Sequence, residues 1–250
     1  MRILVTSLPG MGHVHPLVPL VSGLQRAGHE VAWAAAPVAG PRLESYGFRM
    51  FPAGLAPGAV ASRSAIAVPQ ATDPRDVPPR ERRALGFGKR FGAAAVRMRE
   101  DLAPIVDAFR PELIVHDVAE FAAAPIAVAR GIPHVTVAFS GRFSDALVRG
   151  IVESVGDVWS AEGLVAPSDA GMYDHLYLHR FPPALGPAPE SANVRRVRPV
   201  GFDGGRGAVP PAWLAALGSQ RPAVYVTPRN SGVRRHAVAR TPRRPRFVGH

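Results

Sequence analysis

The sequence predicts an α/β protein built on a doubly wound parallel sheet, and three observations carry that prediction. Short apolar runs alternate with longer segments of helical periodicity through the first half of the chain. Strands separated by helices of this length are joined by right-handed βαβ crossovers, which makes them parallel. The opening run Ile3-Leu-Val-Thr-Ser-Leu breaks at Pro9-Gly10, and a loop carrying Gly10, Gly12, His13, His15 and Pro16 then leads into a helix. At 250 residues with 47% hydrophobic content the chain can bury a proper core, as one large domain or two small ones.

The elements follow in order. Arg2 to Ser7 reads as the first strand. Leu17 to Ala27 is a helix with Leu17, Leu20, Val21 and Leu24 on one face, Pro16 at or near its first turn and Gly28 stopping it. Glu30 to Ala35 is the second strand, Val38 to Tyr46 a second helix, and Phe48 to Pro52 a short strand. Residues 53 to 80 are rich in Pro, Gly and Ala and read as a long connection, a feature that is functional or disordered when found in a compact domain. Arg82 to Phe109 carries a long helical pattern anchored by Leu85, Phe87, Phe91, Val96, Leu102, Ile105 and Val106. Leu113 to His116 is a buried strand, Glu120 to Ala129 a helix with Gly131 as its C-cap, and His134 to Phe139 the next strand. Phe143 to Trp159 is helical and His175 to His179 strand-like. Val197 to Phe202, a helix at Pro211 to Leu217 and a strand at Ala223 to Thr227 complete the pattern.

Composition narrows the function classes. Zero cysteines excludes a disulfide framework and thiolate metal sites and fits a reducing cytoplasm. The first strand starts almost at once and no run approaches the ~20 apolar residues of a membrane span, so a cytoplasmic protein without membrane contact is expected. The net charge of +11 is mostly a tail effect: residues 228 to 250 hold seven arginines and no acid, which leaves +4 over the preceding 227 residues. Arginines interleaved with Pro and Gly match a folded nucleic-acid reader poorly, and binding through this tail would weaken steeply with salt.

The chemistry centres on His13. In an open α/β sheet, ligands dock at the carboxyl ends of the strands. A histidine there, with an ordinary pKa of about 6.5, is placed to take a proton from a bound molecule. The loop fails as a dinucleotide fingerprint, because His15 stands where the third glycine belongs and the second strand ends Ala34-Ala35-Ala36 without an acid. No phosphate-loop motif is present either. From the residues alone, His13 can equally cap the helix or satisfy a backbone carbonyl, and Asp117 can be the N-cap of the following helix.

Five blocks resemble the amino-terminal half of the GT-B glycosyltransferases, in particular the bacterial antibiotic and macrolide enzymes related to the UDP-glycosyltransferases. They are the first strand with Gly12-His13-Val14-His15-Pro16, Ala27-Gly-His-Glu-Val31, Pro111-Glu-Leu-Ile-Val-His-Asp117-Val-Ala-Glu120-Phe121, and Gly131-Ile-Pro-His134. The fifth runs from Arg198-Pro-Val-Gly-Phe202 through Trp213-Leu214 to Arg221-Pro-Ala-Val-Tyr-Val-Thr227. They occur in the family's order across residues 1 to 227.

The resemblance implies a Rossmann-like fold and an inverting transfer of a sugar from a nucleotide-sugar donor to a hydroxyl of a small-molecule natural product. It also implies His13 as catalytic base and Asp117 as its partner, fourteen residues before Gly131. Gly12, Glu120 and Phe139 are expected in the acceptor site. Phe87, Phe91 and Phe143 could floor it, although core packing is the commoner fate of such side chains. His15 is expected to be structural, and His116 and His134 core or cleft-lining. No metal or cofactor is expected beyond the nucleotide-sugar co-substrate. Some members of the family use an auxiliary protein, and a homo-oligomer is equally open.

The expected organisation is an acceptor-binding domain over 1–210, the start of a donor domain over 211–227, and an Arg- and Pro-rich disordered tail over 228–250. The motif breaks off after Thr227, as a frameshift or shortened reading frame would leave it. On that basis the chain is expected to be an inactive or incomplete form, with a nucleotide-sugar partner only if the other domain is supplied. The alternatives are a non-catalytic acceptor-binding module and nucleic-acid binding through the tail.

Overall fold

The computed structural model describes residues 1–55 and 78–202. All of these belong to one compact unit, Met1–Arg206. Most of the 53–80 connection, the helix at Pro211 to Leu217, the strand at Ala223 to Thr227 and the 228–250 tail lie outside the described residues.

Seven strands form one parallel sheet in the order β3-β2-β1-β4-β5-β6-β7. They are β1 (Arg2–Thr6), β2 (Glu30–Ala35), β3 (Arg49–Pro52), β4 (Leu113–Asp117), β5 (His134–Val137), β6 (Leu176–His179) and β7 (Val194–Arg196). The helices are α1 (Met11–Val14), α2 (Val18–Arg26), α3 (Gly40–Ser45), α4 (Pro79–Phe109), α5 (Ala123–Ala129) and α6 (Asp145–Ser160). Gly28 and Gly131 follow α2 and α5 with φ of 86° and 62°, the left-handed conformation that lets the chain turn back toward the next strand. Gly131 thus sits one residue past the expected place, since Arg130 is the C-cap of α5.

Strand side chains alternate between two faces, and each face has its own core. Leu4, Ala32, Ala34 and Ile114 join Leu102 and Val106 of α4, Ile126 of α5 and Ile151 of α6. Ile3, Val5, Val31, Trp33 and Val115 pack instead with Val18 and Val21 of α2 and Leu43 of α3. Both sheet faces are therefore covered, which explains the near-continuous apolar strands of a parallel sheet.

Three departures from the sequence reading have physical causes. Two of the seven apolar anchors expected in α4, which packs against α6, are exposed: Phe87 by 44% and Val96 by 39%. The two helices instead meet through small residues: a Cβ at Gly88 would strike the Leu147 carbonyl oxygen, and one at Gly150 the Leu85 carbonyl oxygen. Val197 to Phe202 carries no regular structure, and the last strand among the described residues lies just before it, paired by Tyr177↔Val194 and His179↔Arg196. Helix α5 begins at Ala123 with Ala122 as N-cap, so Asp117 is not its cap.

Candidate active site

The strand order creates the site. The connection leaving β1 leads outward to β2, whereas β4 and β5 lie on the other side of β1. The crevice between the carboxyl ends of β1 and β4 is thus the topological switch point, where open α/β sheets take ligands. Thr6 lies opposite His116 in the parallel register, so both strands end at one level. The loop after β1 turns through α1, where the His13 amide bonds to the Gly10 carbonyl at 2.9 Å. His13 thereby faces Asp117, the last residue of β4.

His13 Nδ1 lies 2.7 Å from Asp117 Oδ2. The imidazole is 22% exposed and the carboxylate 1%. The carboxylate accepts, so Nδ1 carries the proton and the second nitrogen, Nε2, keeps its lone pair. Asp117 is held in turn: its Oδ1 accepts the Ala119 amide at 3.3 Å. Phe139 stands at the carboxyl end of β5 with its ring edge-on to the imidazole, centroids 4.7 Å apart. A buried carboxylate behind one ring nitrogen fixes the tautomer and stabilises the imidazolium formed when the other nitrogen takes a proton.

Two cavities share Phe139. One, of about 570 Å³, is lined by Gly12, His15, Arg180, Phe181 and Phe202 among others. The other, of about 350 Å³, is lined by Arg80, Arg83, Phe87, Phe91 and Phe143 as well. The four phenylalanines named from the sequence therefore meet on one wall, while Gly12 lies on the neighbouring cavity. Arg80, Arg83 and Arg180 gave no signal in the sequence, because nothing local marks an arginine whose cavity is closed by residues far along the chain.

Glu120 departs from expectation. It is 2% exposed and lines neither cavity. The turn after β4 directs it inward, where Oε2 accepts the Thr6 hydroxyl at 2.6 Å and Oε1 the Ala122 amide at 2.7 Å. Burial pushes its pKa up to about 7 and the nearby Asp117 charge adds to the rise, against the opposing hydrogen bonds. His15 shares Nε2 with the Tyr46 hydroxyl at 3.2 Å and packs on Phe202. His116 and His134 are core residues joined Nε2 to Nδ1 at 3.0 Å, and burial followed by the His134 charge holds His116 down at about 3. Among the described residues no group of three or more His, Asp or Glu stands together as a metal site. No helix among them is long and apolar enough to cross a membrane.

No protein-family profile matches the chain. It is similar to the L-demethylnoviosyl transferase of Streptomyces niveus, at 31% identity over 240 residues, covering 91% of this chain and 56% of the relative. Among solved structures it resembles a Streptomyces sp. SF2575 glycosyltransferase complexed with thymidine diphosphate (TM-score 0.69, 25% identity, 85% of this chain and 56% of that one). The spinosyn rhamnosyltransferase complexed with spinosyn aglycone shares the fold (TM-score 0.68, 24% identity, 88% of this chain and 55% of that one). The chain thus spans little more than half the length of these proteins. With a parallel sheet that matches theirs, the chain is similar to bacterial antibiotic glycosyltransferases and has the Rossmann-like fold of the amino-terminal half of the GT-B architecture.

Proposed function

We propose that this chain contributes the acceptor-binding half, and the general base, of an inverting sugar transfer from a nucleotide sugar to a hydroxyl of a small natural product. The single observation that carries this is the 2.7 Å contact between His13 and Asp117 at the switch point. An alcohol is a poor nucleophile until a base takes its proton in the transition state, an effect of about 10²–10⁴-fold. In the proposed step Nε2 of His13 accepts the acceptor's hydroxyl proton. The acceptor oxygen attacks the anomeric carbon as the bond from that carbon to the diphosphate oxygen breaks, and the diphosphate leaves with the electron pair. Attack from the face opposite the nucleotide inverts the sugar. Asp117 holds the imidazole in the required tautomer and balances the charge that forms on it. Imidazole serves as the base, so the scheme calls for no metal and no cofactor besides the nucleotide-sugar co-substrate.

The ligands bound in two structural neighbours, thymidine diphosphate in one and an aglycone in the other, support a nucleotide-sugar donor and an aglycone acceptor as the reacting pair. Calorimetric titration of hydroxylated polyketide and aromatic aglycones onto the chain tests the acceptor half without requiring turnover. Saturable binding by at least one aglycone, lost or weakened when Phe139 is changed to Ala, supports the proposal. Absence of binding across the panel, or binding indifferent to Phe139, contradicts it.

A further inference from the structure

We infer that the cavity beside the His13–Asp117 pair selects a flat aromatic acceptor bearing an anionic group, with its rings against the phenylalanine wall and its charge held by Arg80 and Arg83. This rests on the reading of that cleft as the acceptor side, and narrows it to a chemical class.

Three observations converge. The first is size: a volume of about 350 Å³ lies within the range for small-molecule sites, roughly 300–1,000 Å³. The second is the lining. Phe87, Phe91, Phe139 and Phe143 surround the space, and Phe87 stays 44% exposed although an aromatic ring gains by being covered. Offset stacking and edge contacts with such rings favour an aromatic guest over a saturated one. The third is charge. Glu81 is committed to Arg149 and Lys89 to Glu153, but neither Arg80 nor Arg83 has a hydrogen-bond or ion-pair partner among the described residues. Both lie in the first turns of α4, where the helix dipole adds to their positive potential instead of offsetting it. An anion at the cavity mouth would meet two guanidinium forks, whose planar donors match a carboxylate. Phe139 links the cavity to the chemistry, because its ring contacts the His13 imidazole edge-on.

The test compares a dihydroxyanthraquinone carboxylic acid with its methyl ester by calorimetry on the full chain. The expected result is tighter binding of the acid by about tenfold or more. Arg80→Ala with Arg83→Ala should remove this preference by weakening the acid's binding more than the ester's, and added salt should shrink it. Both arginines are exposed, so an unchanged melting temperature is expected in the double variant. Equal binding of acid and ester, or a preference that survives the double variant, overturns the inference yet leaves the acceptor reading standing. Binding of neither probe overturns the inference, and failure of the whole aglycone panel then sinks the acceptor reading as a separate result.

Discussion

Replacing Glu120 with glutamine should change how stability depends on pH. In the unfolded chain this carboxyl ionises at its ordinary value of 4.5, and in the folded protein at about 7. Between those values the folded state holds a proton that the unfolded state has lost, so raising the pH through that window removes stability. A difference of roughly two and a half pKa units corresponds to about 3 kcal/mol, fully lost above pH 7. Glutamine is neutral throughout and can keep both contacts, its amide oxygen accepting from Ala122 and its nitrogen donating to the Thr6 hydroxyl.

His116 imposes the opposite slope. Its folded pKa of about 3 lies below the ordinary 6.5, so stability rises as pH climbs from 3 to 6.5. The two slopes oppose each other between pH 4.5 and 6.5, which leaves the wild-type curve alone uninformative. The difference between Glu120→Gln and wild type cancels the histidine. Urea unfolding at matched pH values should show that difference moving in glutamine's favour by about 3 kcal/mol from pH 4.5 to 8. A difference that stays constant over that range refutes the argument that the buried carboxyl resists ionisation.

Other outcomes follow from the packing and the site. Gly150→Ala places a Cβ on the Leu85 carbonyl and must spread α4 from α6, so unfolding measurements should show a loss of about 1–3 kcal/mol. Ala substitution at Gly156, on the same helix with no atom near its added Cβ, should be neutral or stabilising in the same assay. Asp117→Asn removes the anion that fixes the His13 tautomer, so nitrogen NMR of the imidazole should change from one tautomer protonated at Nδ1 to a mixture.

Local periodicity made much of the fold legible. β1, β2 and α2 stand out because short apolar runs and an i, i+3, i+4 stripe end at Pro or Gly. Leu102 and Val106 of α4 are buried as expected, but Phe87 and Val96 are exposed, because close helix contact depends on absent side chains: Gly88 and Gly150 carry no apolar signal, whereas Phe87 and Val96 do. β7 escaped notice because Val194-Arg-Arg is an edge strand with little burial, so no hydrophobic alternation marks it. His13 is legible as a residue of the loop that follows the first strand, and Asp117 as a residue at the end of another strand. Their contact is a non-local fact that depends on β4 lying beside β1 at matched height. Glu120 is placed in the acceptor site by the resemblance of its block and not by any local signal of its own. Its inward partner is the Thr6 hydroxyl, more than a hundred residues away in sequence.

The most direct test of the central claim follows the His13 ring nitrogens by NMR as an aglycone is added to the chain. A hydroxyl poised to give up its proton must hydrogen-bond to the unprotonated Nε2, so the account predicts a saturable shift of that resonance with a free-hydroxyl acceptor and none with its O-methyl analogue. An acceptor that binds while His13 Nε2 stays unmoved, or that shifts it equally with and without the hydroxyl, would contradict the account.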